Sequence, residues 1–284
     1  MRFGAHVSAA GGLVNAPRNA HNLGCDTFQF FSRSPRGGAP TNIDTDTSKL
    51  FRKYCAEYNL LTCYIHTPYY INFASPNNRI YNGSIEVVRQ ELERGEALGV
   101  TATMTHLGSA KDIVANKIIP IVATALIKTL QGYEGKNRFL IEIAAGSGAI
   151  IGASFEQVAS IIQAVEKKIK NHTIGVCFDT AHAFASGYDL RNEQVVNETL
   201  KKFDKIIGLK RLVVIHANDS LVDFATRKDR HQNIGKGKIG LSGFKALVRH
   251  PKLKHLDFIL ETPWTNEQTV KKDLHTLRSL QTKK

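Results

Sequence analysis

The sequence holds little that would staple, span or export it. Only four cysteines occur among 284 residues (Cys25, Cys55, Cys63 and Cys177), with no CxxC pair. This argues against a disulfide framework and for reduced, mostly buried thiols. No stretch approaches the ~18 consecutive apolar residues of a membrane span. The opening residues, Met1 to Gly12, lack the apolar core of a secretion signal, so a cytoplasmic protein without membrane contact is expected. Low-complexity tracts, Pro/Gly linkers and short-period repeats are missing too. Acidic residues are scarce beside basic ones, 25 Asp and Glu against 38 Lys and Arg, a formal charge of +13. Such a balance fits a polyanionic partner and says nothing of fold. With 42% apolar residues the chain has the material for a large core, and disorder is excluded.

What repeats is a pattern: a short apolar run, a polar loop, then an amphipathic stretch. The runs are Arg2–His6, Thr27–Phe31, Leu61–His66, Val100–His106, Phe139–Glu142, Ile174–Asp179, Leu212–His216 and Phe258–Glu261. Most are short and rich in β-branched or aromatic residues, as buried parallel strands are. Between them, Ser84–Leu98 reads as a helix with Ser84 as N-cap, and Ser154–Lys170 as one opened by a capping box of Ser154 and Gln157. Glu193–Ile207 and Glu267–Leu280 are helical in pattern, and so is Asp112–Leu130, where Pro120 should kink or break the helix. Eight strands alternating with helices predict one domain over residues 1–284, a single (β/α)8 TIM barrel of the α/β class. A doubly wound open sheet is the alternative, because it alternates in the same way.

The ends of the runs carry the chemistry. Six successive runs end in His66, His106, Glu142, Asp179, His216 and Glu261. In a barrel these ends converge on one face. Carboxylates gathered there with no Lys or Arg among them would repel, and a cation relieves that. Imidazole and carboxylate together are zinc ligands and also suit manganese or iron. A lone His or Asp at a strand end is usually a cap; six in sequence are not explained so. His182 follows Asp179 at i+3. Asp229 and His231 flank Arg230, and in extended chain both would point the same way. Taken alone, that last pair reads as a solvated loop cluster.

These residues resemble a known family. Gly175-Val-Cys-Phe-Asp179-Thr-Ala-His182, His216-Ala-Asn218-Asp219-Ser220 and Asp229-Arg-His231-Gln-Asn-Ile-Gly235-Lys-Gly237 are similar to the endonuclease IV family of apurinic/apyrimidinic-site DNA endonucleases. The similarity runs from Gly4-Ala-His6-Val-Ser to Glu261-Thr-Pro263. It implies a (β/α)8 barrel with three zinc ions. His66 and His106 hold one; Glu142 bridges it to a second, which also takes Asp179, His216 and Glu261; His182, Asp229 and His231 hold the third. Catalytic roles fall to Glu142, as bridge, and to Glu261, as ligand and local base. The implied reaction is hydrolysis 5′ of an abasic site in duplex DNA, leaving a 3′-hydroxyl; one barrel acting on one DNA suggests a monomer. Some positions depart from the family. Ala181 stands in place of Cys, Leu221 of Lys and Ala225 of Gly; Ile143 and Ser147 replace polar residues; and Ser34-Pro-Arg36-Gly-Gly38 lacks the usual Trp. None is a metal ligand.

DNA contacts are expected from Arg36 and Tyr69, by the same resemblance, and from Tyr70, Arg227, Lys228 and Arg230. The Thr226–Lys238 loop carries five cations against one acid and is suited to phosphates. Gly235-Lys-Gly237-Lys-Ile-Gly240 formally fits GxGxxG, but it follows a polar loop rather than a strand, so no nucleotide cofactor is expected. His6 ends the first run and could line the pocket, but core packing is its expected role. The competing activity is a xylose isomerase-like sugar isomerase or epimerase, with one ion on Glu142, Asp179, His216 and Glu261. That reading has no use for His66, His106 or the Asp229–His231 pair. A DNA-binding module with a structural metal would need only a few closed ligands.

Overall fold

The computed structural model describes residues 1–111 and 113–282. In chain order the elements are β1 (Arg2–Val7), α1 (Asn15–Leu23), β2 (Thr27–Phe30), α2 (Thr45–Glu57), β3 (Cys63–His66), α3 (Asn78–Leu98), β4 (Ala102–Thr105) and α4 (Ala115–Leu130). Then come β5 (Arg138–Glu142), α5 (Phe155–Glu166), β6 (Gly175–Asp179), α6 (Thr180–Ser186), α7 (Glu193–Ile206) and β7 (Leu212–His216). The chain ends with β8 (Asp219–Ser220), β9 (His231–Gln232), α8 (Gly240–Arg249), β10 (Asp257–Leu260) and α9 (Glu267–Gln281). Strands pair in the order β1-β10-β7-β6-β5-β4-β3-β2, all parallel, and β1 meets both β10 and β2 to close the barrel. Closure rules out the open sheet. The hairpin β8–β9 stands apart, pairing Ser220 with His231.

Two apolar cores follow from the period-two alternation of the strands. Outward residues such as Phe139, Ile141, Val176, Phe178, Phe258 and Leu260 pack under the helices. Inward residues Tyr64, Ala102, Met104, Leu140, Cys177, Val214 and Ile259 fill the barrel as a separate plug. Two residues beyond Tyr64, Met104, Leu140, Cys177, Val214 and Ile259 stand His66, His106, Glu142, Asp179, His216 and Glu261. Each polar strand end is therefore the next inward position above an apolar one. At the opposite end Asp257, 1% exposed, accepts from Arg2 Nε at 2.7 Å, Tyr64 Oη at 2.6 Å and Thr62 Oγ1 at 2.6 Å. It ties the first barrel strand to the last and to the third.

The helices differ from expectation in local detail. Asn77, not Ser84, caps α3, accepting from the amides of Arg79 and Ile80. Ser84 lies buried within that helix, where its hydroxyl donates to the Ile80 carbonyl. Ser154 does cap α5, but the Gln157 side chain accepts from Gly152 instead of closing the box, and the helix ends at Glu166. α4 runs unbroken through Pro120, which stands near its start; Asp112, included in the expected helix, lies outside the described residues. α1, α2, α8 and the short α6 were not among the helices singled out from the sequence.

Candidate metal centre

All eight barrel strands send a side chain to one end. The six expected residues are joined by His6 from β1 and Gln29 from β2, which sit side by side in the strand register. His6 lines the cleft and does not pack in the core: its Nδ1 lies 2.9 Å from Gln29 Nε2 and 3.7 Å from Glu261 Oε1. Gln29 and Asn218 are polar residues the sequence reading did not pick out. Asn218 donates to Asp179 Oδ2 at 2.7 Å and accepts from the Glu261 amide at 2.8 Å, joining two strand ends. The weak signal for it was an amide side chain two residues beyond His216.

Three donor clusters share this end. In the first, Glu142 Oε2 is 2.9 Å from His66 Nε2 and 3.5 Å from His106 Nε2. In the second, His216 Nδ1 is 3.1 Å from Glu142 Oε1, 3.2 Å from Glu261 Oε2 and 3.8 Å from Asp179 Oδ2. The two oxygens of Glu142 thus face different clusters. In the third, Asp229 Oδ1 is 3.2 Å from His182 Nε2 and 3.4 Å from His231 Nε2, which are 3.3 Å from each other. A tetrahedral zinc with bonds of ~2.0–2.1 Å holds its donors ~3.3 Å apart. Asp179 Oδ2, 3.7 Å from His231 Nε2, lies between the second and third clusters.

The imidazoles are oriented as ligands need to be. Most spend one ring nitrogen on a fixed oxygen and turn the other to the clusters, the usual arrangement around protein-bound metals. Nδ1 of His66, His182 and His231 donates to the carbonyls of Thr67, Ile143 and Glu261 at 2.7, 3.0 and 3.2 Å. His216 reverses the arrangement, with Nε2 donating to Gln29 Oε1 at 2.7 Å. Gln29 in turn donates to Glu261 Oε1 at 2.6 Å. Asp179 caps α6 by accepting from the His182 amide at 2.8 Å, which sets the short helix and His182 together. The donor set and its spacing fit a multinuclear zinc site.

Electrostatics point the same way. Burial would push the Glu142 carboxyl up, but the imidazoles of His106 and His216 and hydrogen bonds from His182 and His216 outweigh it and hold it well below the usual range. Glu261 is likewise held low, against its burial, by His216 and His6. Burial disfavours charge on His182, yet Asp179, Asp229 and Glu142 raise it well above the ordinary imidazole value. A metal ion held by these groups would displace protons from the imidazoles, so its binding would weaken as pH falls. Cys177 lies within reach of Glu142 and His216. Burial pushes its thiol up to about 12, so it stays neutral and belongs to the plug beneath.

The clusters floor a cleft of about 460 Å³ that Tyr69 and Trp264 also line. Trp264, the only tryptophan, was missed; its place three residues after Glu261 was the available signal. Tyr69 is 70% exposed and meets Phe31 edge-on at 5.2 Å. Tyr70 is exposed beside Gly37. Arg36 is exposed on the β2–α2 loop. The base of that loop is held by Glu91, wholly buried on α3, which takes Ser32 Oγ at 2.6 Å and Arg33 Nε at 2.5 Å. Arg227, Lys228 and Arg230 are exposed on the loop that carries Asp229. That loop is fastened by its backbone: Ala225 and Arg227 donate to the carbonyls of Phe184 and Ala185, and Ser147 Oγ donates to that of Arg227 at 2.8 Å. Ala225 and Arg227 have φ of 60° and 55°, left-handed values that favour glycine. Ala225→Gly should therefore raise stability by roughly 0.5–1 kcal/mol, the relieved strain less the added chain entropy. A denaturant midpoint unchanged or lowered would contradict this.

The GxGxxG segment has a use of its own. Its loop amides converge on the buried carboxylate of Asp219, which accepts from Gly235, Gly237 and Ile239 at 2.9–3.0 Å and from Gly240 at 3.3 Å. A phosphate would find these amides already taken. The same carboxylate caps α8, whose own preceding residue, Ile239, offers no side-chain cap. A Cβ at Gly237 would overlap it.

Comparison with known proteins agrees with this geometry. A family model described as a xylose isomerase-like TIM barrel matches residues 17–280. A protein of Halothermothrix orenii named "Probable endonuclease 4" is 38% identical over 267 residues, 93% of this chain and 94% of its own. The crystal structure of endonuclease IV from Thermus thermophilus superposes with a TM-score of 0.87 at 30% identity, covering 99% of this chain and 98% of that one. A D-tagatose 3-epimerase-like protein superposes at 0.71 with 20% identity, over 99% and 97% of the two chains, and shares the fold alone. From its full-length relatives and its barrel, the chain belongs to the endonuclease IV family.

Proposed function

We propose that the chain, acting over residues 1–284 as one catalytic unit, is a zinc-dependent endonuclease of base excision repair. It hydrolyses the phosphodiester 5′ to an abasic site in duplex DNA and leaves a 3′-hydroxyl, as a monomer in the cytoplasm, with no nucleotide cofactor. One observation carries this reading: three donor clusters at ligand spacing, two of them joined through the two oxygens of Glu142. His66, His106 and Glu142 would hold one zinc, Glu142, Asp179, His216 and Glu261 a second, and His182, Asp229 and His231 a third; manganese or iron(II) suit the same donors. Bound there, the ions supply a water acidified to near-neutral pKa and neutralise charge on the phosphoryl and leaving 3′ oxygens.

The protein's own groups do the rest. Glu142 keeps two clusters at fixed separation. Glu261 Oε2, turned to the cleft while Gln29 holds Oε1, orients the attacking water and accepts its proton. Arg36, Arg227, Lys228 and Arg230 track phosphates around the cleft. Tyr69 and Tyr70 offer aromatic faces where a base is missing. A sugar isomerase needs only the second cluster. It leaves the first and third, whose donors aim at the same cleft, without a task.

The test is a duplex bearing one tetrahydrofuran abasic analogue, which a β-elimination lyase cannot cut. The expected product is a single nick 5′ to the analogue with a 3′-hydroxyl end. His182→Ala and Asp229→Ala should each lower the rate at least about 100-fold with far-UV circular dichroism unchanged. An intact duplex after incubation with zinc-loaded, folded protein would overturn the reading in favour of the isomerase. Wild-type rates in both variants would remove the third ion from the reaction.

A further inference from the structure

The positive charge of this chain does not sit mainly at its catalytic end. There, the Arg36 and 226–238 loops carry six of the chain's 38 Lys and Arg (Arg36, Arg227, Lys228, Arg230, Lys236 and Lys238). At the opposite end, lysines crowd the segments that lead into four strands. Lys136 precedes β5; Lys167, Lys168 and Lys170 precede β6; Lys205 and Lys210 precede β7; Lys254 precedes β10. All seven are exposed. Among the described residues no carboxylate lies within 4.0 Å of any of their amines, whereas the neighbouring Arg211 and Lys252 are paired with Glu166 and Asp204. Glu134 is the only other acid in these segments.

The strands concerned are neighbours in the barrel, in the order β10-β7-β6-β5, so the lysines form one continuous arc over half the rim. The other half carries Asp26 and Glu57 among its cations, and Glu96 stands at the arc's edge, accepting the amides of Lys136 and Asn137 at 2.6 and 2.9 Å. Cations near helix C-termini also offset the helix dipole. That does not explain the arc, because of its seven lysines only Lys205 lies in the last turn of an α-helix. With helices packed ~8–10 Å apart, four units span ~30 Å, close to the ~34 Å of one duplex turn. Membrane-surface binding needs apolar anchors beside the charges. None of the exposed large apolar side chains among the described residues lies in these segments.

We propose that this lysine arc is a second duplex-binding surface, holding DNA by its phosphates while the other end engages the lesion. The enzyme thereby bridges two DNA segments. The assignment rests on the proposed DNA activity for its choice of partner, but its test needs no incision. Sedimentation at low salt with an undamaged 12-base-pair duplex in excess gives the number of duplexes bound per chain. Wild type should bind two. The variant Lys167→Gln/Lys168→Gln/Lys170→Gln/Lys210→Gln/Lys254→Gln should bind one and keep its melting temperature. It should also cut the tetrahydrofuran duplex at the wild-type rate at saturating enzyme. Arg36→Gln/Arg227→Gln/Lys228→Gln/Arg230→Gln should likewise bind one. Wild type and the lysine variant each binding one duplex would overturn the proposal. So would flotation of wild type, but not of the lysine variant, with phosphatidylserine vesicles in a protein that takes only one duplex. Two bound duplexes from a protein that fails to cut would leave the second surface standing and remove only the catalytic reading.

Discussion

Replacing Glu142 with glutamine is expected to cut incision of the tetrahydrofuran duplex by about 10³-fold or more, on the scale of losing a main electrostatic element of a catalytic site. The substitution keeps shape and removes one negative charge from a fully buried position. That charge is shared by His66, His106, His182 and His216, all within 3.5 Å of its oxygens. Glutamine offers one oxygen where two are needed, so it cannot serve two clusters at once. Elemental analysis after dialysis should show the first two sites depleted together, with the third, on His182, Asp229 and His231, largely retained. Its only tie to Glu142 is through His182. Near-wild-type incision or an unchanged metal content would mean that the clusters do not depend on a common bridge. With the metals removed by a chelator, wild type should itself be inactive, and activity should return on adding zinc.

The second large effect is one of stability. Asp219→Ala should destabilise the fold by about 3–5 kcal/mol, the scale of leaving several buried backbone amides without their acceptor. For a chain of this size that lowers the melting temperature by about 10 °C. The carboxylate is buried and accepts five backbone amides, including that of Ser220 at 2.8 Å. Removing it leaves donors without partners, each costly. The damage should be local first: amide exchange of residues 233–240 should speed up before that of the barrel strands. Because β8 carries Asp219 and pairs with β9, His231 should lose its fixed place, and zinc content should fall by one per chain. A melting temperature within about 2 °C of wild type would show that water replaces the carboxylate without strain.

Much of the site was readable along the chain because a barrel turns sequence order into spatial order. Each strand ends at the same face, so polar residues ending successive apolar runs had to meet. The alternation explains why the last inward residue, and not its neighbour, faces the cleft. Gln29 and His6 obey the same rule. Gln29 was passed over because its run continues through Phe30 and Phe31, so it does not mark an end. His6 was seen to end its run, but core packing was preferred to a place in the pocket. Trp264 and Asn218 lie beyond their strands, where their spacing from Glu261 and His216 was only a weak signal.

The helices show the complementary limit. α3 starts at a distant-looking Asn77 because its first turns carry few apolar residues, and periodicity reaches it only at Ser84 and after. α8 has no local start at all, since its cap is Asp219, some twenty residues earlier in the chain. α6 is too short for a period and exists because Asp179 both ends a strand and caps a helix.

By itself the sequence determined the alternation of strands and helices, the six ligand candidates at the strand ends and the excess of positive charge, because each is a property of residue type and spacing; Asp229 and His231 joined them only through the family resemblance. Tertiary structure alone decided that the barrel closes, that Glu142 divides its oxygens between two clusters, that the glycine loop holds Asp219, and that the unpaired lysines gather on the end away from the site. Each of these depends on which strands become neighbours. Pairing of residues far apart in the chain sets those neighbours, and no local pattern encodes it.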